Sequence, residues 1–137
     1  MNFTIVVDYV KNLFPGRAPV APSDNPVADA NVLAHLSNNM FYTVASNGNS
    51  YWYYFVNDDS DLNLAKYILR SNGIRVEKHN SHYFWGERQP VLRVRRYLLR
   101  GNIGAQNFVE RLMTINTASL EQKAIDSRIA AVKQKMK

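Results

Sequence analysis

Apolar and polar residues alternate along residues 91–99 with the two-residue period of a β-strand that is covered on one side. One predicted face is apolar and carries Leu92, Val94 and Leu98. The opposite predicted face is mainly basic and carries Val91, Arg93, Arg95 and Tyr97. Arg96 falls in the apolar register, so the strand must end near water at this point or a bulge must reset its phase.

A shorter alternating run precedes this strand. Ile74 and Val76 alternate with Arg75, Glu77 and His79. The turn formers in residues 86–90 separate the two runs, so the pattern predicts an antiparallel hairpin. We expect Ile74 and Val76 to share the core side with the apolar residues of the second strand. The predicted outer side then holds Arg75, His79, Arg93, Arg95 and Tyr97, with Glu77 among them.

A second hairpin is predicted upstream, from strands at residues 40–45 and 51–57. The two segments flank Asn47 and Gly48, and Asn-Gly is the strongest short signal for a hairpin turn. Large rings occupy both predicted faces of the second segment, with Tyr51, Tyr53 and Phe55 on one face and Trp52, Tyr54 and Val56 on the other. Only one face needs to meet a core, so the rings on the other face either stack on bases or are covered by a terminal helix or a protein partner.

A helix is predicted between the hairpins, where Asp58 and Asp59 suit the positive end of the helix dipole and Gly73 follows the last turn. Apolar residues at helical spacing predict two helices before the hairpins and two after them. The predicted fold class is therefore α+β, with strands and helix in the order ββαββ in one antiparallel or mixed sheet. We expect one domain, made of an N-terminal helix (1–14), a Pro-rich loop (15–26), an α+β core (27–115) and a basic C-terminal helix (117–137).

The last predicted helix carries apolar residues at coiled-coil spacing, namely Ile125, Ile129, Val132 and Met136. A seam this short either lies on its own domain or pairs with another chain. The sequence thus leaves open a contact with a protein partner or a second copy through Trp52, Tyr54, Ile125, Ile129 and Val132.

The composition favours one folded domain. The chain has 137 residues, of which 46% are hydrophobic, and this is enough to bury a core without a disulfide or structural metal. Cysteine is missing, which excludes a thiolate zinc site and a thiol nucleophile. Asp8 interrupts the apolar start, and no uncharged apolar run reaches the ~18 residues of a membrane span. We expect a soluble cytoplasmic or otherwise intracellular protein that has no membrane contact.

The charge is basic and unevenly distributed. The formal net charge is +6. Residues 1–73 hold four Lys and Arg against six Asp, whereas residues 74–137 hold thirteen Lys and Arg against five Asp and Glu. This asymmetry predicts attraction to an anionic partner, which is either nucleic acid or an acidic protein surface.

Two histidines lie close together in the basic half, His79 and His82. A regular strand would place residues at this spacing on opposite faces, and only a loop or bulge would let them converge. Converging histidines would suit a metal site or an acid–base pair. A metal-independent ribonuclease, with one histidine as base and Arg93 or Arg95 against the phosphate, is the third functional hypothesis. The pattern predicts no resident metal or cofactor.

The first functional hypothesis is a small non-enzymatic binding protein that contacts nucleic acid through a sheet face rich in Arg and Tyr. The residues assigned to this contact are Arg75, His79, Arg93, Arg95, Tyr97, Tyr51 and Tyr53. The second hypothesis is a protein-interaction or structural assembly component, for instance a subunit of a larger particle or a homo-oligomer.

Overall fold

A computed structural model describes residues 20–36, 42–45 and 51–137 of the chain. In these ranges the α-helices are α1 (Pro26–Leu36), α2 (Asp59–Ser71), α3 (Ile103–Thr114) and α4 (Gln122–Lys135). The strands are β1 (Tyr42–Ala45), β2 (Tyr51–Val56), β3 (Glu77–Phe84) and β4 (Glu87–Arg95). Short 3-10 helices follow at Arg96–Leu99 and Thr117–Ser119. The predicted N-terminal helix, most of the Pro-rich loop and the Asn-Gly turn lie outside the described residues.

The sheet has the strand order β1-β2-β4-β3, and every described pair of neighbours is antiparallel. The two hairpins therefore join through β2 and β4, and α2 connects them along the chain. The α+β prediction and its ββαββ order are confirmed. None of the described helices is both long enough and apolar enough to cross a membrane.

The inner face of the sheet meets the helices in the main core. Phe55, Leu92 and Val94 are buried there together with Leu64 and Ala65 of α2. This arrangement confirms the predicted inward direction of Leu92 and Val94. Burying large aliphatic and aromatic side chains stabilises the fold by roughly 1.5 to 3 kcal/mol each, so this alternation is a main determinant of strand phase.

The helix ends follow local capping rules. Asn25 begins α1, and its Oδ1 accepts a hydrogen bond from the backbone N–H of Ala28 at 3.1 Å. Asn102 caps α3 in the same way through the N–H of Ala105, at 3.0 Å. Gly73, with a φ of 79°, ends α2 in the left-handed region that glycine adopts without strain. The start of α1, the start of α3 and the end of α2 are therefore specified by local sequence.

The turn of the second hairpin differs from the prediction. The sequence predicts a linker at residues 86–90, but β4 already begins at Glu87 and the loop consists of Trp85 and Gly86 alone. Both residues have positive φ, 57° and 82°, as the two central residues of a type I′ turn do. Such a turn matches the twist of the flanking strands, so the strands continue farther than the turn-forming residues indicate. Ile74 and Val76 are buried as predicted, although they precede β3.

The end of β4 agrees with the prediction at Arg96, where the strand ends near water, and differs from it at Leu98. Strand alternation stops at Arg95, and the following 3-10 turn changes which residues face inward. Leu98, predicted to point into the core, is 40% exposed, while its neighbour Leu99 is buried. The same change leaves Arg96 exposed, so this arginine does not enter the core.

Helix α4 lies on its own domain. Ile125 and Val132 are 3% and 2% exposed and belong to the main core, and Ile129 packs against that core. Most of the apolar surface of these residues is therefore covered within this chain, and a contact with a second chain through them stays a prediction. The short seam packs α4 mainly against α1.

A buried carboxylate connects the helices. Asp29 of α1 is 1% exposed, and Arg128 of α4 donates a hydrogen bond from Nε to its Oδ1 at 2.8 Å. Asn72, at the end of α2, donates to Oδ2 at 2.9 Å, and the hydroxyl of Ser23 donates to the same oxygen. The hydrogen bond to Asp29 raises the pKa of Arg128 further above its usual value, despite partial burial of the guanidinium.

An exposed carboxylate extends this network outward. Asp24 accepts hydrogen bonds from Lys135 Nζ and Arg128 Nη2, both at 2.9 Å, and these bonds lower the pKa of Asp24 to about 2. Since the folded pKa is depressed, the stability that Asp24 contributes is present above its ordinary pKa of 3.8 and is lost as the pH falls toward about 2.

Replacing Arg128 by Met should lower the free energy of unfolding by about 3 to 5 kcal/mol, because the Asp29 carboxylate would stay buried without its cation. Urea denaturation measures this loss. Lys135→Met is the matched control, and it should cost far less because its partner Asp24 is exposed. Adding Asp29→Asn to Arg128→Met should restore part of the stability. Equal losses for Arg128→Met and Lys135→Met would contradict this account.

Candidate functional site

The candidate site is the sheet face that points away from the main core, which we call the outer face. It is formed by alternate residues of β4 and by the residues paired with them on β2 and β3. A small apolar cluster on this face consists of Tyr54, Phe84 and Val91, with Val56 packed against it. In the described part of the chain, all members of this cluster are strand residues. The outer face is thus held together by contacts between strands.

A β-bulge in β3 shapes this face. His79 pairs with Val91 and His82 pairs with Gln89, so two residues of β3 lie opposite Pro90 alone. Proline has no backbone N–H to donate to the neighbouring strand, and a bulge is one of the few sheet positions that tolerate it. The extra residue shifts the side-chain phase of β3. His79 and His82 consequently lie on the same face, with ring centroids 5.6 Å apart.

Glu77 connects Arg93 with His79. Its Oε2 accepts a hydrogen bond from Arg93 Nε at 3.0 Å and lies 3.4 Å from His79 Nε2. Partial burial raises the pKa of Glu77, but the hydrogen bonds from Arg93 and His79 outweigh this effect and hold the pKa below its usual value. Glu77 is therefore ionised at neutral pH and offsets part of the positive charge of the outer face.

His82 favours its neutral form. Burial lowers its pKa, and the positive charges of Arg93, His79 and Arg88 lower it further. The ring also lies against Tyr54, with centroids 5.6 Å apart. The outer face thus holds a neutral imidazole at physiological pH, and a neutral imidazole can accept a proton.

An aromatic row runs from the middle of the sheet to the tip of the β3–β4 hairpin. Tyr54 stacks on Phe84 with centroids 4.5 Å apart, and Phe84 stacks on Trp85 with centroids 4.8 Å apart. Trp85 is 55% exposed at the outer end of the row. We call these three residues the aromatic row. Its rings lie on the same side of the sheet as Arg93, because Arg93 is paired with Tyr54.

The structure brings together only some of the residues that the sequence assigned to the site. His79, Arg93 and Arg95 share the outer face, as predicted. Arg75 is exposed but precedes β3, so it lies outside the paired strands. Tyr51 and Tyr97 belong to the described backbone, but their side chains lie outside what the structure describes.

The assignment of Tyr53 to the site is wrong. Tyr53 is 8% exposed and belongs to the main core, because it pairs with Val94 on the inner face. Rings on both faces of β2 made its phase ambiguous in the sequence. The pairing of Tyr54 with Arg93 shows that Tyr54, which the sequence assigned to a protein contact, is the ring beside the arginines.

Sequence reasoning missed Phe84 and Trp85 and did not decide whether His82 lies on the same face as His79. The available signal was Pro90, because a proline inside an alternating strand indicates an edge or a bulge. A bulge opposite Pro90 would have placed both histidines on one face. The aromatic row could not be read from periodicity, since stacking between strands depends on their register.

Among the residues that the structure describes, no three His, Cys, Asp or Glu side chains are grouped so that they could hold a metal ion.

Comparison with protein families, curated proteins and solved structures finds no match to this chain. Function must therefore be inferred from the geometry of the outer face, which combines stacked rings, arginines and a histidine pair.

The His82 ring should titrate below the ordinary histidine pKa of 6.5 in an NMR pH titration. Arg93→Ala should raise this pKa only part of the way, because burial remains the larger cause. Arg88→Ala is the control and should raise it less, since Arg88 is the weakest of the three charges that act on the ring. A His82 pKa at or above 6.5 in the unmodified protein would show that the ring is solvated and does not lie against Tyr54.

Proposed function

We propose that the protein binds single-stranded nucleic acid through the outer face. The observation that carries this proposal is the aromatic row beside Arg93 and Arg95. Proteins that bind single strands combine aromatic side chains, on which bases stack, with positive groups that follow the phosphate backbone. Both parts occur here on one face of one sheet.

A single strand suits this face better than a duplex. Trp85 is the exposed ring of the aromatic row, since Tyr54 and Phe84 are 7% and 8% exposed. A base can stack on a protein ring only after it leaves its own stack. Base-edge recognition in a duplex instead requires an element that enters a groove. The outer face presents guanidinium groups, and the hairpin tip presents the indole of Trp85. The expected contacts are therefore to phosphates and to an unpaired base, with little sequence preference.

Glu77 sets the strength of this interaction. Its carboxylate orients Arg93 through the 3.0 Å hydrogen bond, but it also repels a phosphate that approaches the same guanidinium. The phosphate must therefore compete with Glu77 for Arg93. The pair favours weak, reversible binding over tight binding.

Arg93→Ala combined with Arg95→Ala should weaken binding of a labelled oligothymidine and reduce the slope of log affinity against log salt by about 1.4 to 1.8. This range follows from the loss of two phosphate contacts. Fluorescence anisotropy at several salt concentrations measures both quantities. A similar loss for oligothymidine and oligoadenosine is expected, because phosphate contacts carry no sequence information.

The matched control is Lys123→Ala combined with Lys133→Ala, which removes the same charge from exposed positions of α4. Because α4 packs on other helices, this control should change the salt slope much less. Glu77→Gln should have the opposite effect and tighten binding. If the unmodified protein binds no oligonucleotide, or both double variants behave alike, nucleic-acid binding by the outer face is disproved.

The bulge favours a second candidate function, cleavage of RNA without a metal ion. His82, whose neutral form is favoured, would accept the proton of a ribose 2′-hydroxyl. The 2′ oxygen then bonds to phosphorus while the bond from phosphorus to the next 5′ oxygen breaks, which leaves a 2′,3′-cyclic phosphate. His79 would donate the proton that the leaving 5′ oxygen requires, and Arg93 would stabilise the charge on the transferring phosphoryl group.

In this case His82→Ala should slow cleavage of single-stranded RNA by at least about 100-fold in the presence of a chelator, since general base catalysis contributes that much. Gel analysis of a labelled oligonucleotide gives the rate and identifies the cyclic product. His35→Ala is the control, because His35 lies in α1 and is exposed. Cleavage of the matching DNA, or a rate that His82→Ala leaves unchanged, would rule out this chemistry.

A further inference from the structure

Trp85 adopts a backbone conformation that is unfavourable for its residue type. Its φ of 57° is the only positive value at a non-glycine position among the described residues. The left-handed region is crowded for residues with a Cβ, and bulky side chains rarely occupy it. The neighbouring Gly86, at 82°, meets the same demand without strain.

The turn itself does not account for a tryptophan. A type I′ turn favours Asn-Gly, and the chain contains that pair at Asn47 and Gly48, in its other predicted hairpin. Core packing does not account for it either, because Trp85 is 55% exposed. Departures from local rules of this kind are typical of functional positions, where strain is offset elsewhere in the fold.

The hairpin tip holds this tryptophan in a defined position. The side-chain amide of Gln89 donates a hydrogen bond to the backbone oxygen of Phe84 at 2.8 Å, next to the turn. Phe84 then supports the indole through a stacked contact with an interplanar angle of 25°. A ring that is held before binding loses little conformational freedom when a ligand stacks on it.

We propose that Trp85 is the anchor of the nucleic-acid site, the residue that holds one end of the bound strand. Its indole stacks with one unpaired base, and this base continues the aromatic row beyond the sheet. This inference rests on the proposed function and adds to it the residue that fixes the strand at one end. The occupant is a base because the row leads onto the face that holds Arg93 and Arg95, where phosphates of the same strand would lie.

Three substitutions distinguish the effect of the Trp85 ring on binding from the effect of the turn conformation. Trp85→Ala removes the ring and keeps the unfavourable φ, Trp85→Asn removes the ring but suits the turn, and Trp85→Tyr keeps a ring. Trp85→Ala and Trp85→Asn should weaken oligothymidine binding by the same factor, between about 5-fold and 150-fold, the range expected for loss of one stacked base. Trp85→Tyr should retain most of the affinity. The salt slope should not change in any of the three, because no phosphate contact is lost.

Thermal melting provides a readout that does not involve a ligand. Trp85→Asn should melt roughly 2 to 5 °C above Trp85→Ala, because asparagine tolerates the left-handed region. Tyr83→Ala is the matched control in binding. Tyr83 is 65% exposed on the same hairpin, but it lies between two outer-face residues and so points to the opposite side. Its loss should leave affinity unchanged.

Each other outcome contradicts the anchor in a different way. If Trp85→Ala binds like the unmodified protein while the arginine double variant is weakened, the anchor is wrong and the proposed function stands. If the unmodified protein binds no oligonucleotide, both are wrong. If Trp85→Asn recovers the affinity that Trp85→Ala loses, only the turn matters. If Trp85→Ala instead abolishes binding to vesicles that contain phosphatidylserine and leaves oligonucleotide binding intact, the tip is a lipid contact.

Discussion

The arrangement of the helices depends on the buried carboxylate of Asp29. An ionised group at 1% exposure is costly unless it is paired and fully hydrogen-bonded. Its partners come from three places in the chain, the loop before α1, the end of α2 and the middle of α4, and they are Ser23, Asn72 and Arg128. Because hydrogen bonds are directional, these contacts are all satisfied in one arrangement of the three segments. Apolar contacts alone specify such an arrangement less strictly.

This helix arrangement determines which sheet face is available for function. The helices of the main core cover the inner face, where Phe55 and Leu92 are buried. The outer face carries a small cluster of strand residues that includes the rings of Tyr54 and Phe84, with Arg93 and Arg95 on the same face. Tyr54 and Phe84 are buried in this cluster, whereas Trp85 at the end of the aromatic row is 55% exposed. An exposed aromatic ring on a positively charged surface is typical of a binding site.

The sequence predicted those features that depend on local patterns. Alternation in residues 91–95 predicted the burial of Leu92 and Val94, and Gly73 predicted the end of α2. The Asp29–Arg128 pair could not be predicted, because 99 positions separate the two residues and neither belongs to a motif. The phase of β2 was ambiguous for a different reason, since rings occur on both of its faces. Only the pairing of Tyr54 with Arg93 resolves it.

The remaining differences between local preference and structure lie in the β3–β4 hairpin. Pro90 lies within a strand, and the residues opposite it form a bulge. Trp85 takes a conformation that asparagine or glycine would adopt at lower cost. Each departure weakens the hairpin as a local structure, and each changes the outer face, since the bulge unites His79 with His82 and Trp85 extends the aromatic row. The residues of this hairpin are therefore better explained by the surface they create than by the turn they form.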